Sequence, residues 1–229
     1  MTSGRRARGS RLAGVLAAAA LLGAGASAYE SDQYSNRLVD LPDSIEVLDA
    51  RVNDALAEVA AEWRGPEERW QFARKVYWKL GGLHWVDHIE RWAMDSDQVA
   101  KLPQRKHDSI FSGAPMHVTR VNWFFGVGPT LRLAGSFVGS DKLGHFFSQG
   151  IKYYASHLLG WGDDHVLGRG RFNERWLFGQ LTTSVYSNAD LVANYEGYRF
   201  YRSLYEEGIV PGKGPIVAFR DGRAEILRP

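Results

Sequence analysis

Apolar residues recur at helical spacing over much of this chain. Ile45, Leu48, Val52, Leu56, Val59 and Trp63 fall on one face at three- and four-residue steps, with Glu46, Asp49, Arg51 and Glu58 mostly elsewhere. That period predicts a long amphipathic helix, capped by Asp43-Ser44 and stopped at Gly65-Pro66. Pro66, Glu67 and Glu68 suit the first turn of a second helix, which runs to Gly81-Gly82. A third, shorter helix is expected over His84 to Ala93. Residues 95–139 carry Pro103, Pro115 and Pro129 without a sustained period. They read as an irregular segment with short helical or extended pieces around Val118 to Phe125.

Beyond it, Ser140 would cap a helix from Asp141 to about Leu159, followed by a Gly-rich charged loop over 161–170. Two more helices are expected, over Asn173 to Thr183 and from Ser187 to about Glu207. Ile216 to Phe219, Asp221-Gly222 and Ala224 to Leu227 then have the pattern of a tight hairpin. The predicted fold class is mainly α. Residues 29–229 form a single helical domain with a small C-terminal β-hairpin in the 214–229 tail.

Composition narrows the setting. The chain has 229 residues, 45% hydrophobic and 24% charged, with no Cys; it is neither collagen-like, nor disordered, nor a disulfide scaffold. Residues 1–28 read as a secretory signal peptide: Arg5, Arg6, Arg8 and Arg11, an apolar Leu12–Leu22 stretch, then Ala26-Ser27-Ala28. The apolar stretch is shorter than the ~20 residues a bilayer span needs, and the residues after Arg5-Arg6 fit twin-arginine export poorly. General (Sec-type) secretion with cleavage after Ala28, to a periplasmic or secreted location, is the expectation. Without Cys the chain cannot be acylated as a lipoprotein. Lys plus Arg number 28 and Asp plus Glu 26, and the leader takes four of the arginines, leaving a slight acidic excess. No basic stripe remains for nucleic acid, and no later uncharged run is long enough for a transmembrane span.

Two segments concentrate chemistry. In Ser140-Asp141-Lys142-Leu143-Gly144-His145, Asp141 and His145 lie one helical turn apart. The carboxylate could orient the imidazole, or both could ligate a divalent metal. In Ser187-Asn188-Ala189-Asp190-Leu191-Val192-Ala193-Asn194, Asp190, Asn194 and Gly197 share one face, and Ser187 with Asp190 also matches a capping box. Each helix opens on Ser and carries an interior Gly, so their small-residue faces can approach closely. The expectation is that they meet in one buried network of Asp141, His145, Asp190 and Asn194. Such a network would serve either as a structural pin or as a catalytic site.

Weaker patterns weigh less. His84 and His88 at i, i+4 with Asp87 between them form at most half a zinc site. Trp63, Trp70, Trp78, Trp85 and Trp92 recur every seven or eight residues but belong to different helices, which favours core packing over a sugar- or lipid-binding groove. Gly126-Val127-Gly128-Pro129 is a turn rather than a nucleotide loop, and no Gly-x-Ser-x-Gly occurs.

Asp141-Lys142-x-x-His145-Phe146 resembles a signature of VanZ-like proteins and of some small exported bacterial proteins. Paired with Ser187-Asn188-Ala189-Asp190-Leu191-x-Ala193-Asn194, it is similar to an uncharacterised exported proteobacterial family. The resemblance implies a cell-envelope setting and brings no reaction with it. VanZ-like members are integral membrane proteins, whose spans this chain lacks. The reading that results is an exported envelope protein acting through binding or structure, with an envelope glycan or lipid as ligand class. The alternative is a hydrolase, metal-dependent or built on His145, Asp141, Asp190 and Asn194.

Overall fold

The amphipathic run after Asp43 folds as helix α1 (Ile45–Glu62) and buries Leu48, Ala55, Leu56, Val59 and Ala60. The computed structural model describes residues 30–82, 86–119, 126–173 and 187–228. Ahead of α1, strand β1 (Glu30–Ser31) opens the described chain. At the start of α1 the N-cap residue is Ser44, but the capping bond comes from Asp43 before it, whose Oδ1 accepts the Ile45 N–H at 2.9 Å. The Ser44 hydroxyl instead accepts the Ala100 N–H at 3.0 Å. Helix α2 (Arg69–Leu80) packs against α1 through Phe72, Ala73 and Val76.

Helix α3 is His88–Asp95. It starts later than its periodicity predicts because Asp87 and Glu90 close a reciprocal capping box at that point. The His84 half of the His84/His88 pair lies outside the described residues; His88 is exposed at the first helical position.

The 95–139 segment is less irregular than its prolines suggest. Strands β2 (Lys101–Leu102), β4 (Thr130–Leu133) and β5 (Ser136–Gly139) form an antiparallel sheet, and β3 (Val127–Gly128) pairs in parallel with β1. None exceeds four residues, too short for alternation to register in the sequence. A single helical turn, Met116–Thr119, reaches the expected 118–125 piece; residues 120–125 lie outside the described set.

Next comes one continuous helical segment in three parts: α4 (Asp141–Gly144), a π-helical turn (His145–Gln149) and α5 (Gly150–Leu158). Ser140 does not cap it. Its own backbone is helical, and its N–H bonds the Pro129 carbonyl at 3.0 Å. The expected 161–170 loop is instead largely helical, as α6 (Asp163–Asn173). Its Gly170 backbone presses on the Tyr153 ring, where a Cβ would come within 1.7 Å of the hydroxyl. That glycine is selected for packing rather than for breaking a helix. Of the helix expected over Asn173 to Thr183, everything after Asn173 lies outside the described residues.

Helix α7 (Asn188–Ser203) is capped by Ser187, whose Oγ accepts the Asp190 N–H at 3.2 Å. It stops short of Glu207 because the C-terminal strand takes over: the Ile216 and Val217 N–H groups bond the Ser203 and Leu204 carbonyls at 3.0 and 2.9 Å. The hairpin of β6 (Val217–Arg220) and β7 (Arg223–Ile226) turns at Asp221 and Gly222, with φ of 49° and 72°. Two successive positive φ values are what a two-residue hairpin turn of matching twist requires.

The result is mainly helical with a C-terminal antiparallel hairpin. The core gathers α1, α2, the π-helical turn, α5, α7 and the hairpin around Leu56, Phe72, Tyr77, Phe147, Tyr154 and Tyr201. Trp63 and Trp70 are buried in it, whereas Trp78 is 42% exposed. Trp63 meets Phe72 and Phe219 edge-on at 5.6 Å. Among the described residues, no helix is long and apolar enough to cross a membrane.

Candidate functional site: a closed ionic network

The site is assembled where α4 and the π-helical turn lie against α7. Their approach depends on glycine: a Cβ on Gly197 would sit 1.8 Å from the Phe146 carbonyl oxygen, and one on Gly150 would sit 2.5 Å from the Gly197 carbonyl carbon. With the backbones this close, Asp141 and His145 face Asp190 and Asn194 directly. The π-helical turn takes up the changed phase, and the Tyr201 hydroxyl donates to its Phe147 carbonyl at 3.2 Å.

The four side chains read as one group in the sequence are brought together. His145 Nε2 is 3.1 Å from Asp190 Oδ2, and His145 Nδ1 is 3.1 Å from Asn194 Oδ1. With a carboxylate oxygen and an amide oxygen facing them, both ring nitrogens are placed to donate, the arrangement that favours an imidazolium. Lys142 supplies the second cation. Its ammonium contacts the carboxylates of Asp141 and Asp190 and lies 3.5 Å from Glu30 Oε2 on β1. Ser187 Oγ donates to Asp190 Oδ1 at 2.7 Å, so one hydroxyl both caps the helix and serves the network. Every member of the network is buried except Ser187, which is partly so; Asp190 is 1% and His145 8% exposed.

Burial and charge pull these groups in opposite directions. Desolvation disfavours the charged imidazole, but the charge and hydrogen bond of Asp190 outweigh it and lift His145 to about 10. Burial alone would raise Asp190; His145 and Lys142 instead hold it well below the usual carboxylate range. Burial would likewise lower Lys142, yet Asp141, Asp190 and Glu30 keep it well above its ordinary value. Glu30 is the exception. Desolvation dominates there, only partly offset by Lys142, and pushes it up to about 8.

A second buried pair adjoins the first. Ser148, in the π-helical turn, donates its hydroxyl to Asp87 Oδ2, and Lys152 of α5 interacts electrostatically with the same carboxylate. Burial raises Asp87 to about 7 and lowers Lys152 to about 8. No sequence pattern announces this pair or Glu30 as a group. The i, i+4 spacing of Ser148 and Lys152 was the available signal, whereas Glu30 lies on a two-residue strand with no pattern of its own.

Asp141, His145 and Asp190 offer three ligand atoms within 4.8 Å of one another, the outline of a metal site. The donor set fits a metal badly. The Lys142 ammonium already bridges the two carboxylates, and a histidine must be neutral to ligate. A cation would have to displace Lys142 and strip a proton from a ring held charged. A general base needs an accessible unprotonated nitrogen, and both nitrogens of His145 are engaged. Comparison with protein-family models, curated proteins and solved structures finds no match. What the network does must therefore be argued from its own chemistry.

Proposed function

We propose that this is an exported cell-envelope protein, sent out by the leader at residues 1–28, that acts by binding or structure rather than by catalysis. Its buried ionic network is a pin joining the α4–α5 segment to α7. One observation carries the reading: Lys142 is engaged by Asp141, Asp190 and Glu30, and His145 is bonded at both nitrogens. A buried polar cluster whose members satisfy one another is what a structural joint needs. A catalytic centre would leave one group open to substrate.

A second reading, a metal-dependent hydrolase, is favoured by the grouping of Asp141, His145 and Asp190. Elemental analysis of dialysed protein, with thermal melts in chelator and in added zinc, separates the two. The expected result is no stoichiometric metal and an unchanged melting temperature. A bound metal that disappears in a folded His145→Ala variant would replace the pin with the hydrolase.

A further inference from the structure

Leader removal after Ala28 makes Tyr29 the first residue of the processed chain. Chain ends usually fray unless something ties them down, yet the residues that follow, Glu30, Ser31 and Asp32, are 4%, 7% and 1% exposed. Each is held. Glu30 and Ser31 pair with Val127 and Gly128 as β1 against β3. The Asp32 carboxylate accepts the Tyr34, Ser35 and Ile110 N–H groups at 3.0, 3.1 and 2.8 Å, and Gln104 Nε2 at 3.1 Å. Ser31 is pressed against the head of α4 so closely that a Cβ on Gly139 would collide with both the Ser31 side chain and Asp141 Oδ1.

Charge makes this placement matter. Glu30 Oε2 is 3.5 Å from the Lys142 ammonium, which is in closer contact with Asp141 and Asp190. Lys142 and Asp141 of α4, His145 of the π-helical turn and Asp190 of α7 are the charged groups that bear on Glu30. Its partner strand β3, Val127–Gly128, carries none. Burial outweighs the pull of Lys142, so Glu30 is pushed up to about 8. In the unprocessed chain the nitrogen of Tyr29 is a neutral peptide amide; after cleavage it is an α-ammonium. That nitrogen is three covalent bonds from the amide nitrogen of buried Glu30, so the two nitrogens are less than about 4 Å apart in any conformation. A positive charge fixed so near a buried acidic residue favours its ionised form.

We propose that the α-ammonium left on Tyr29 by leader removal joins Lys142 and His145 as a third cation of the network, facing Glu30, and so tightens the joint of β1 to α4 in the processed protein alone. The proposal rests on the reading of residues 1–28 as a leader cleaved after Ala28, and it gives the cleaved end a role.

Mass spectrometry of the exported protein, followed by carboxyl-carbon NMR titration of Glu30, tests it. The processed chain should begin at Tyr29. Compared with a chain begun at Ser27, whose ammonium is two residues further away, the Tyr29 chain should hold the Glu30 proton about tenfold more weakly. Urea unfolding at about pH 7 should find the Tyr29 chain the more stable of the two. With Glu30→Gln in both chains that difference in stability should vanish, circular dichroism confirming the fold. Equal Glu30 titration in the two chains overturns the proposal. So does a stability difference that survives Glu30→Gln, which would mark a steric effect of the added residues. Either failure leaves the export reading standing, whereas a processed chain that begins elsewhere overturns the leader assignment and this proposal with it.

Discussion

Helix α7 carries two ionic networks built from the same kinds of group, and solvent divides them. At its N-terminal end Asp190 and Asn194 hold His145 and Lys142 inside the protein. Toward its C-terminal end, Tyr198 and Arg202 join Asp163 of α6, His157 of α5 and Glu206. Each network engages both nitrogens of a histidine: His157 meets the Tyr198 hydroxyl at 3.0 Å and Glu206 at 3.2 Å. The Lys142 side chain, however, is 5% exposed, whereas that of Asp163 is 48% exposed. In the wetter network water can stand in for exposed partners such as Asp163. In the dry one nothing can, so removing a member strands the others.

The sharpest way to break this contrast is Lys142→Met. It takes one of two cations from the buried Asp141 and Asp190 carboxylates, leaving them His145, and should cost about 3–5 kcal/mol in denaturant unfolding. A loss under about 1 kcal/mol would mean the buried network is no stronger than a surface one.

A pH profile of stability should show the next largest effect. Glu30 is raised to about 8 and Asp87 to about 7, both mainly by burial, and His145 to about 10 through Asp190. Each binds its proton more tightly folded than unfolded, so stability should fall as pH rises from about 4 to 8 through Asp87 and Glu30, and on toward 10 through His145. Low pH brings the opposite loss through Asp190, whose folded pKa is depressed, as its carboxylate takes up a proton. Glu30→Gln should flatten part of the decline above pH 5, while an unchanged slope would exclude Glu30 as a contributor.

The smallest effect is expected of Arg202→Ala in the wet network. It should cost about 1 kcal/mol or less, with the difference shrinking further in high salt.

What the sequence made legible follows the same division between local and distant causes. Helix α1 could be read from its period because its own apolar face decides it. The four-residue and seven-residue spacings within residues 141–145 and 190–197 exposed the polar faces, and the interior glycines hinted at close packing. Helix α6 was hidden because Gly168 and Gly170 look like breakers until the Tyr153 ring is seen against Gly170. Ser140 resembles a cap, but its backbone is already helical and its side chain makes no capping bond. Lys142 stood in plain view within the motif, yet its role depends on Glu30, which reaches the site from a strand no local pattern announces.

The seam at Gly197 has no slack: its neighbour is the Phe146 carbonyl, and not even a methyl group fits between them. Any side chain at position 197 would therefore have to part α7 from the turn that carries His145.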